Sequence, residues 1–292
     1  MYALMGRLVR SSIFRELVLL EPGAKLLNVW VDGQRGAVGG FNHDAINILL
    51  NSGSNTQVRD SVISNTTGWS NLVAGSDPST PCTSNIISGN LVTVYNSDHF
   101  DGTWSDCLSI PCGDALVENN QIVDATDGAI VIFGGGAGAQ SSIARTNVIL
   151  SAGNSAYGAL IFEPQFPDVG PAPRDFSGAT FTNNLIWTAP NTHLDFAVAV
   201  GTQAWWHDLG AFNGVGASVT DNSSGTLTLR CNSGIAVDGM LEATVQGNTF
   251  AIELVEVSAC PSVQVGADLS NGHASGNLQT FVQTAFHGCI GH

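Results

Sequence analysis

Apolar residues along this chain fall in short runs of two or three, broken by Gly, Asn, Ser and Thr, without the three-and-four spacing of an amphipathic helix. The runs are rich in β-branched residues, which predicts short strands. One pattern also recurs. From Pro81 the chain reads PCTSNIISGNLV and from Pro111 it reads PCGDALVENNQIV, so Pro81, Cys82, Ile87, Asn90 and Val92 find partners in Pro111, Cys112, Val117, Asn120 and Val123 or its neighbour Ile122. An apolar residue, two small or polar residues, an Asn and an apolar pair return in ARTNVIL, FTNNLIW and VQGNTFA, around Asn147, Asn184 and Asn248. The intervals from Asn90 are 30, 27, 37 and 64 residues, the last long enough to hide one further repeat.

A period of this length predicts a solenoid whose turns bury their apolar faces only by stacking on one another. Equivalent positions would then lie about 4.8 Å apart, close enough for Asn side chains to hydrogen-bond along the stack. On these segments the chain resembles the pectin-lyase-like superfamily of right-handed parallel β-helices, over about residues 25 to 255. The fold expected is all-β, a right-handed parallel β-helix with a C-terminal cap. Its division is residues 1–24 as an N-terminal cap or precursor remnant, 25–225 as the helix, and 226–292 as the last turns and cap. A β-sandwich is the competing architecture, but it leaves the PC…N repeat unexplained.

The composition narrows the partners. Among 292 residues, 43% are hydrophobic and 11% charged, which suits one elongated domain with apolar interior rows. Nine Lys and Arg against 24 Asp and Glu argue against nucleic acid, where cations supply most of the affinity. Six cysteines, a single Lys, sequons at Asn65 and Asn222 and a net charge of −15 point to a secreted or periplasmic setting. Arg7, Arg10, Arg15 and Glu16 interrupt the apolar runs at the start, so no signal-peptide core can be drawn and a longer precursor is expected. No run is long enough to span a membrane.

Aligning WSNLVA, WSDCLSI, ATDGAIVIF and AYGALIF places Asn71, Asp106, Asp127 and Tyr157 in one row. Stacked carboxylates on a solenoid face can serve as the acid and the base or nucleophile of a glycosidase, their mutual repulsion raising one pKa. The row resembles that of polygalacturonase-type hydrolases, although their Gly-His-Gly and Arg-Ile-Lys elements are absent here. Asp106 and Asp127 are therefore the candidate catalytic pair, with Asp101 beside them. Trp69, Asn71, Trp104, His99, Tyr157 and Glu163 are candidate substrate contacts. Asp-Gly pairs such as Asp101-Gly102 and Asp127-Gly128 are equally ordinary turn chemistry. Trp205, Trp206 and His207 read as a packed lateral loop.

The expected function is a glycoside hydrolase acting on a polysaccharide or oligosaccharide. The alternatives are a lyase or C5-epimerase, which needs an Arg or Ca²⁺ near the row, and a non-catalytic glycan-binding or structural solenoid. No cofactor is expected; Ca²⁺ is possible through Asp98, Asp101 and Asp106. Cys82 and Cys112 share a repeat position and are predicted to be bridged, with Cys107 packed inside. A second bridge is expected between Cys231 and Cys260 or between Cys260 and Cys289.

Overall fold

Two residues in the left-handed backbone region set each turn. One column runs Gly23, Asn55, Ser84, Asp114, Ser141, Gly178, Gly216, Glu242, and the other Asn28, Asp60, Gly89, Asn119, Thr146, Asn183, Asp221, Gly247. Gly, Asn and Asp tolerate this conformation at low cost, which is why these types dominate both columns. Between the two columns lie strands of three residues, such as Gln57–Arg59, Ile86–Ser88 and Leu116–Glu118. Their middle residues Val58, Ile87 and Val117 are buried and the flanking ones are not fully so, the alternation of a sheet with one face inside.

In this computed structural model the described residues are 3–5, 8–10, 16–38, 42, 44–50, 54–75, 82–94, 103–134, 139–164, 174–201, 214–237, 240–255, 273–275 and 281–282. The strands stack in parallel: Ile86 pairs with Gln57 before it and Leu116 after it, and Leu91 with Val62 and Gln121. Ten strands form the first sheet, and the strands of the other two faces are joined in a 17-stranded sheet. The chain is a right-handed parallel β-helix. Parallel pairing is also present on either side of residues 25–225: Ala3–Met5 pairs with Lys25–Leu27, and Thr244–Gln246 with His273–Ser275. Interior columns such as Leu72, Leu108, Ile130, Leu160 and Val198 are fully buried, each side chain contributing about 1.5–3 kcal/mol of transfer free energy.

The residue after each left-handed position of the second column builds the predicted ladder. Asn90, Asn120, Asn147, Asn184, Asn222 and Asn248 are all buried. Asn120 donates its main-chain N–H and its Nδ2 to Asn147 Oδ1, at 3.0 and 2.9 Å, and Asn147 does the same to Asn184. Asn222 is the repeat missing from the longest interval, and its place in the ladder puts its sequon inside the protein. At the other end Ser61 takes the Asn position, its N–H donating to Asn90 Oδ1.

A disulfide joins Cys82 to Cys112, with Cα atoms 5.2 Å apart. Cys107 is a buried free thiol, as expected, and so is Cys231. The Cys231–Cys260 bridge is thereby corrected: Cys231 lies within the strand Ser223–Val237, paired with Leu194 and Leu254 in an interior row. Cys260 and Cys289 lie outside the described residues.

Candidate functional site

The site is a column along the third face, where the strands Ser70–Ala74, Asp106–Ile110, Gly128–Phe133, Ala156–Glu163, Leu194–Val200 and Ser223–Val237 stack. Leu108 pairs with Ile130, but just before this pair the register slips by one residue. There the amide of Asp127 donates to Ser105 O at 3.2 Å, and the amide of Gly128 donates to Asp106 Oδ1 at 2.9 Å. Asp106 is thus flanked on the next rung by Asp127 and Gly128. Gly128 is required here: a Cβ on it would stand 2.2 Å from Val131 Cγ2 and 3.0 Å from Asp106 Oδ1. Asp106 Oδ2 accepts from Ser109 Oγ at 2.8 Å, and Ser109 Oγ lies 2.8 Å from Ser70 Oγ.

Asp106 and Asp127 are both buried, 2% and 4% exposed, where outward, solvated carboxylates were expected. Burial pushes Asp106 up to about 7, against the opposing hydrogen bonds from Gly128 and Ser109. Asp127 is raised well above the carboxylate range by burial first, then by the nearby carboxyls of Asp106 and Glu163. Glu163, at the end of its strand opposite Phe133, is buried as well.

The expected row is changed at one end and longer at the other. Asp106 pairs with Ser70, so Asn71 turns inward beside Cys107, where its Oδ1 accepts from Asn47 Nδ2 at 2.9 Å and its Nδ2 donates to Thr93 O. Asn71 is therefore removed from the candidate contacts. The same register puts Trp69 beside Ser105 rather than Trp104, so the two tryptophans do not form an aligned platform. Trp69 packs on Ile46, Leu49 and Val73. Tyr157 flanks Asp127 as expected, since Gly128 pairs with Gly158, but it is fully buried against Phe196, ring centroids 5.5 Å apart. His99, Asp101, Asp98, Trp205, Trp206 and His207 lie outside the described residues.

Two members of the column were missed. Ala156 pairs with Leu194 and Gly158 with Phe196, which sets Asp195 beside Tyr157; Leu194 pairs with Cys231 and Phe196 with Ser233, which sets Asn232 beside Asp195. The signal was present in LDFAVAV, which aligns with AYGALIF. A third missed residue is Arg35, a buried guanidinium that donates from Nη1 to Ser105 Oγ at 3.1 Å and from Nη2 to Thr103 O. Among the described residues no group of three or more His, Cys, Asp or Glu is arranged to hold a metal ion.

No protein-family model matches the sequence, and no curated protein matches it either. Among solved structures it resembles a tailspike double mutant of E. coli bacteriophage HK620 in complex with a pentasaccharide. That likeness has 13% identity and a TM-score of 0.48, covering 85% of this chain and 42% of that one. It also resembles the Dettilon tailspike protein, at 14% identity and a TM-score of 0.46, covering 82% of this chain and 49% of that one. The chain therefore spans less than half the length of either tailspike, and at these scores the likeness carries no argument about function.

Proposed function

We propose that this β-helix is a glycoside hydrolase that acts on a polysaccharide, with Asp106 and Asp127 as its carboxyl pair. The observation that carries the reading is their adjacency on neighbouring rungs, with Glu163 close enough to add to their repulsion. A carboxyl held protonated near neutral pH is what protonation of a glycosidic oxygen requires. The net charge of −15 favours a neutral or weakly charged glycan. The Cys82–Cys112 bridge suits an oxidising, extracellular setting.

Two observations support other readings. Arg35 brings a cation beside Ser105, next to the row, as elimination by a lyase would need. The burial of both aspartates fits a non-catalytic glycan-binding or structural solenoid with neutral carboxyls packed under its surface.

The deciding experiment measures new reducing ends and ultraviolet absorbance of unsaturated ends on a panel of neutral and uronate-containing polysaccharides. Hydrolysis raises only the first signal and elimination raises both. Absence of either signal across the panel favours the non-catalytic solenoid.

A further inference from the structure

Asp195 and Asn232 stand side by side on neighbouring rungs, the first in the strand Leu194–Val200 and the second in Ser223–Val237. Asn232 Nδ2 donates to Asp195 Oδ1 at 2.6 Å. The other oxygen of each group, Asp195 Oδ2 and Asn232 Oδ1, is buried and has no hydrogen-bond partner among the described residues. Two acceptors cannot satisfy one another, so each carries the penalty of a buried polar group left unpaired.

A carboxylate has no hydrogen to offer, whereas a carboxylic acid has one. A carboxylic acid and a primary amide are complementary: the amide N–H meets one oxygen of the acid, and the acid O–H meets the oxygen of the amide, closing a ring of two hydrogen bonds. The bond from Asn232 Nδ2 is already one half of such a ring. A single proton on Asp195 Oδ2 supplies the other half and gives both orphaned oxygens a partner.

We propose that Asp195 is held as the neutral acid, its Oδ2–H donating to Asn232 Oδ1, and that this acid–amide ring is a pH-sensitive lock between two rungs, closed in acid and released as the proton leaves. The inference does not depend on the glycosidase reading. Released, the pair would consist of a buried charge and a buried amide oxygen with one donor between them, which loosens the contact of the two strands.

The surroundings favour the proton. Burial pushes Asp195 up to about 7, and the amide of Asn232 opposes that rise. On the preceding strand, Ala156–Glu163, Tyr157 stands beside Asp195 and Glu163 lies at the far end. The following strand brings Cys231, whose thiol burial raises to about 12, and Arg230, which pairs with Glu253 Oε1 at 3.4 Å and donates to Pro190 O and Thr192 O. His193, two residues before Asp195, has its Nδ1 3.0 Å from Ser155 Oγ. None of these groups donates to Asp195 Oδ2 or to Asn232 Oδ1. The folded value lies above the ordinary 3.8, so the lock's contribution to stability is fully present below pH ~4 and is lost as pH rises through about 7.

The test compares the wild-type chain with Asp195→Asn and Asn232→Leu. Asp195→Asn keeps the ring without a titratable proton, because its Nδ2 donates to Asn232 Oδ1 and its Oδ1 accepts from Asn232 Nδ2. Asn232→Leu removes the ring at every pH. At pH ~5 the urea midpoint of Asp195→Asn should match the wild type, and that of Asn232→Leu should lie below both. Between pH ~4 and ~7 the unfolding constant of the wild-type chain should rise about tenfold more per pH unit than that of Asp195→Asn, the linkage of one proton. At pH ~8 the backbone amides of the two strands should exchange faster in the wild-type chain than in Asp195→Asn. A ¹³C-carboxyl titration of the wild-type chain reads the proton directly even where a variant fails to fold, and Asp195 should titrate near neutrality. An Asp195 that titrates as an ordinary carboxylate, an unchanged pH slope in Asp195→Asn, or a midpoint at pH ~5 lowered as far in Asp195→Asn as in Asn232→Leu would each overturn the inference.

Discussion

Asn184 and Asn222 are 38 residues apart in the chain and one rung apart in the fold, with Asn184 donating its main-chain N–H and its Nδ2 to Asn222 Oδ1 at 3.0 and 2.9 Å. Asn222 in turn donates to Phe181 O and Asn248 Oδ1. Asn222→Ala therefore strands buried donors on Asn184, at about 1–3 kcal/mol for each group left unpaired. A urea titration should show a lowered midpoint with an unchanged slope. In a host that glycosylates, mass analysis should find Asn222 unmodified in the folded protein, because its amide faces the interior.

The Cys82–Cys112 bridge closes a loop of 30 residues, and its removal is expected to cost about 2–4 kcal/mol. Comparing denaturant midpoints of the wild-type chain and the Cys82→Ser, Cys112→Ser double variant measures this. Cys107 and Cys231 should resist thiol reagents until the protein unfolds, since both are buried and burial raises both thiols, Cys231 to about 12.

Gly128→Ala is expected to destabilise by about 1–3 kcal/mol through overpacking against Val131. It should also displace the Asp106 carboxyl, whose Oδ1 lies 3.0 Å from the added carbon. Under the glycosidase reading, activity on the cleaved polysaccharide should fall beyond the loss of folded protein, measured on samples matched by circular dichroism.

Asp106→Asn and Asp127→Asn should each lower turnover by orders of magnitude if the pair is catalytic. Their burial adds a pH signature that outward carboxylates would lack. Asp106 is raised from 3.8 to about 7 in the folded protein, so its contribution to stability is fully present below pH ~4 and is lost as pH rises through about 7. Thermal melts of the wild-type chain should fall across that window, and those of Asp106→Asn should fall less. Equal slopes for the two proteins would mean that Asp106 is solvated.

The repeat of Asn with its flanking apolar residues, the stacking that it implies and the Cys82–Cys112 bridge were all legible in the sequence, because each depends on residues that recur at equivalent places in successive turns. Asp127 beside Tyr157 followed from the same alignment. Asn222 was hidden because Ser224 stands two residues after it, where the other repeats carry the apolar Val92, Ile122, Ile149, Ile186 and Phe250. Asp195 was also legible, in the alignment of LDFAVAV with AYGALIF, whereas only tertiary structure removed Asn71 and added Asn232. A slip of one residue beside Asp106 sends a side chain to the other face of the sheet, and such a slip is decided by packing between rungs. Burial was likewise beyond the sequence: whether Asp106 meets water depends on the rungs that carry Ser70 and Gly128, neither of them its neighbour in the chain.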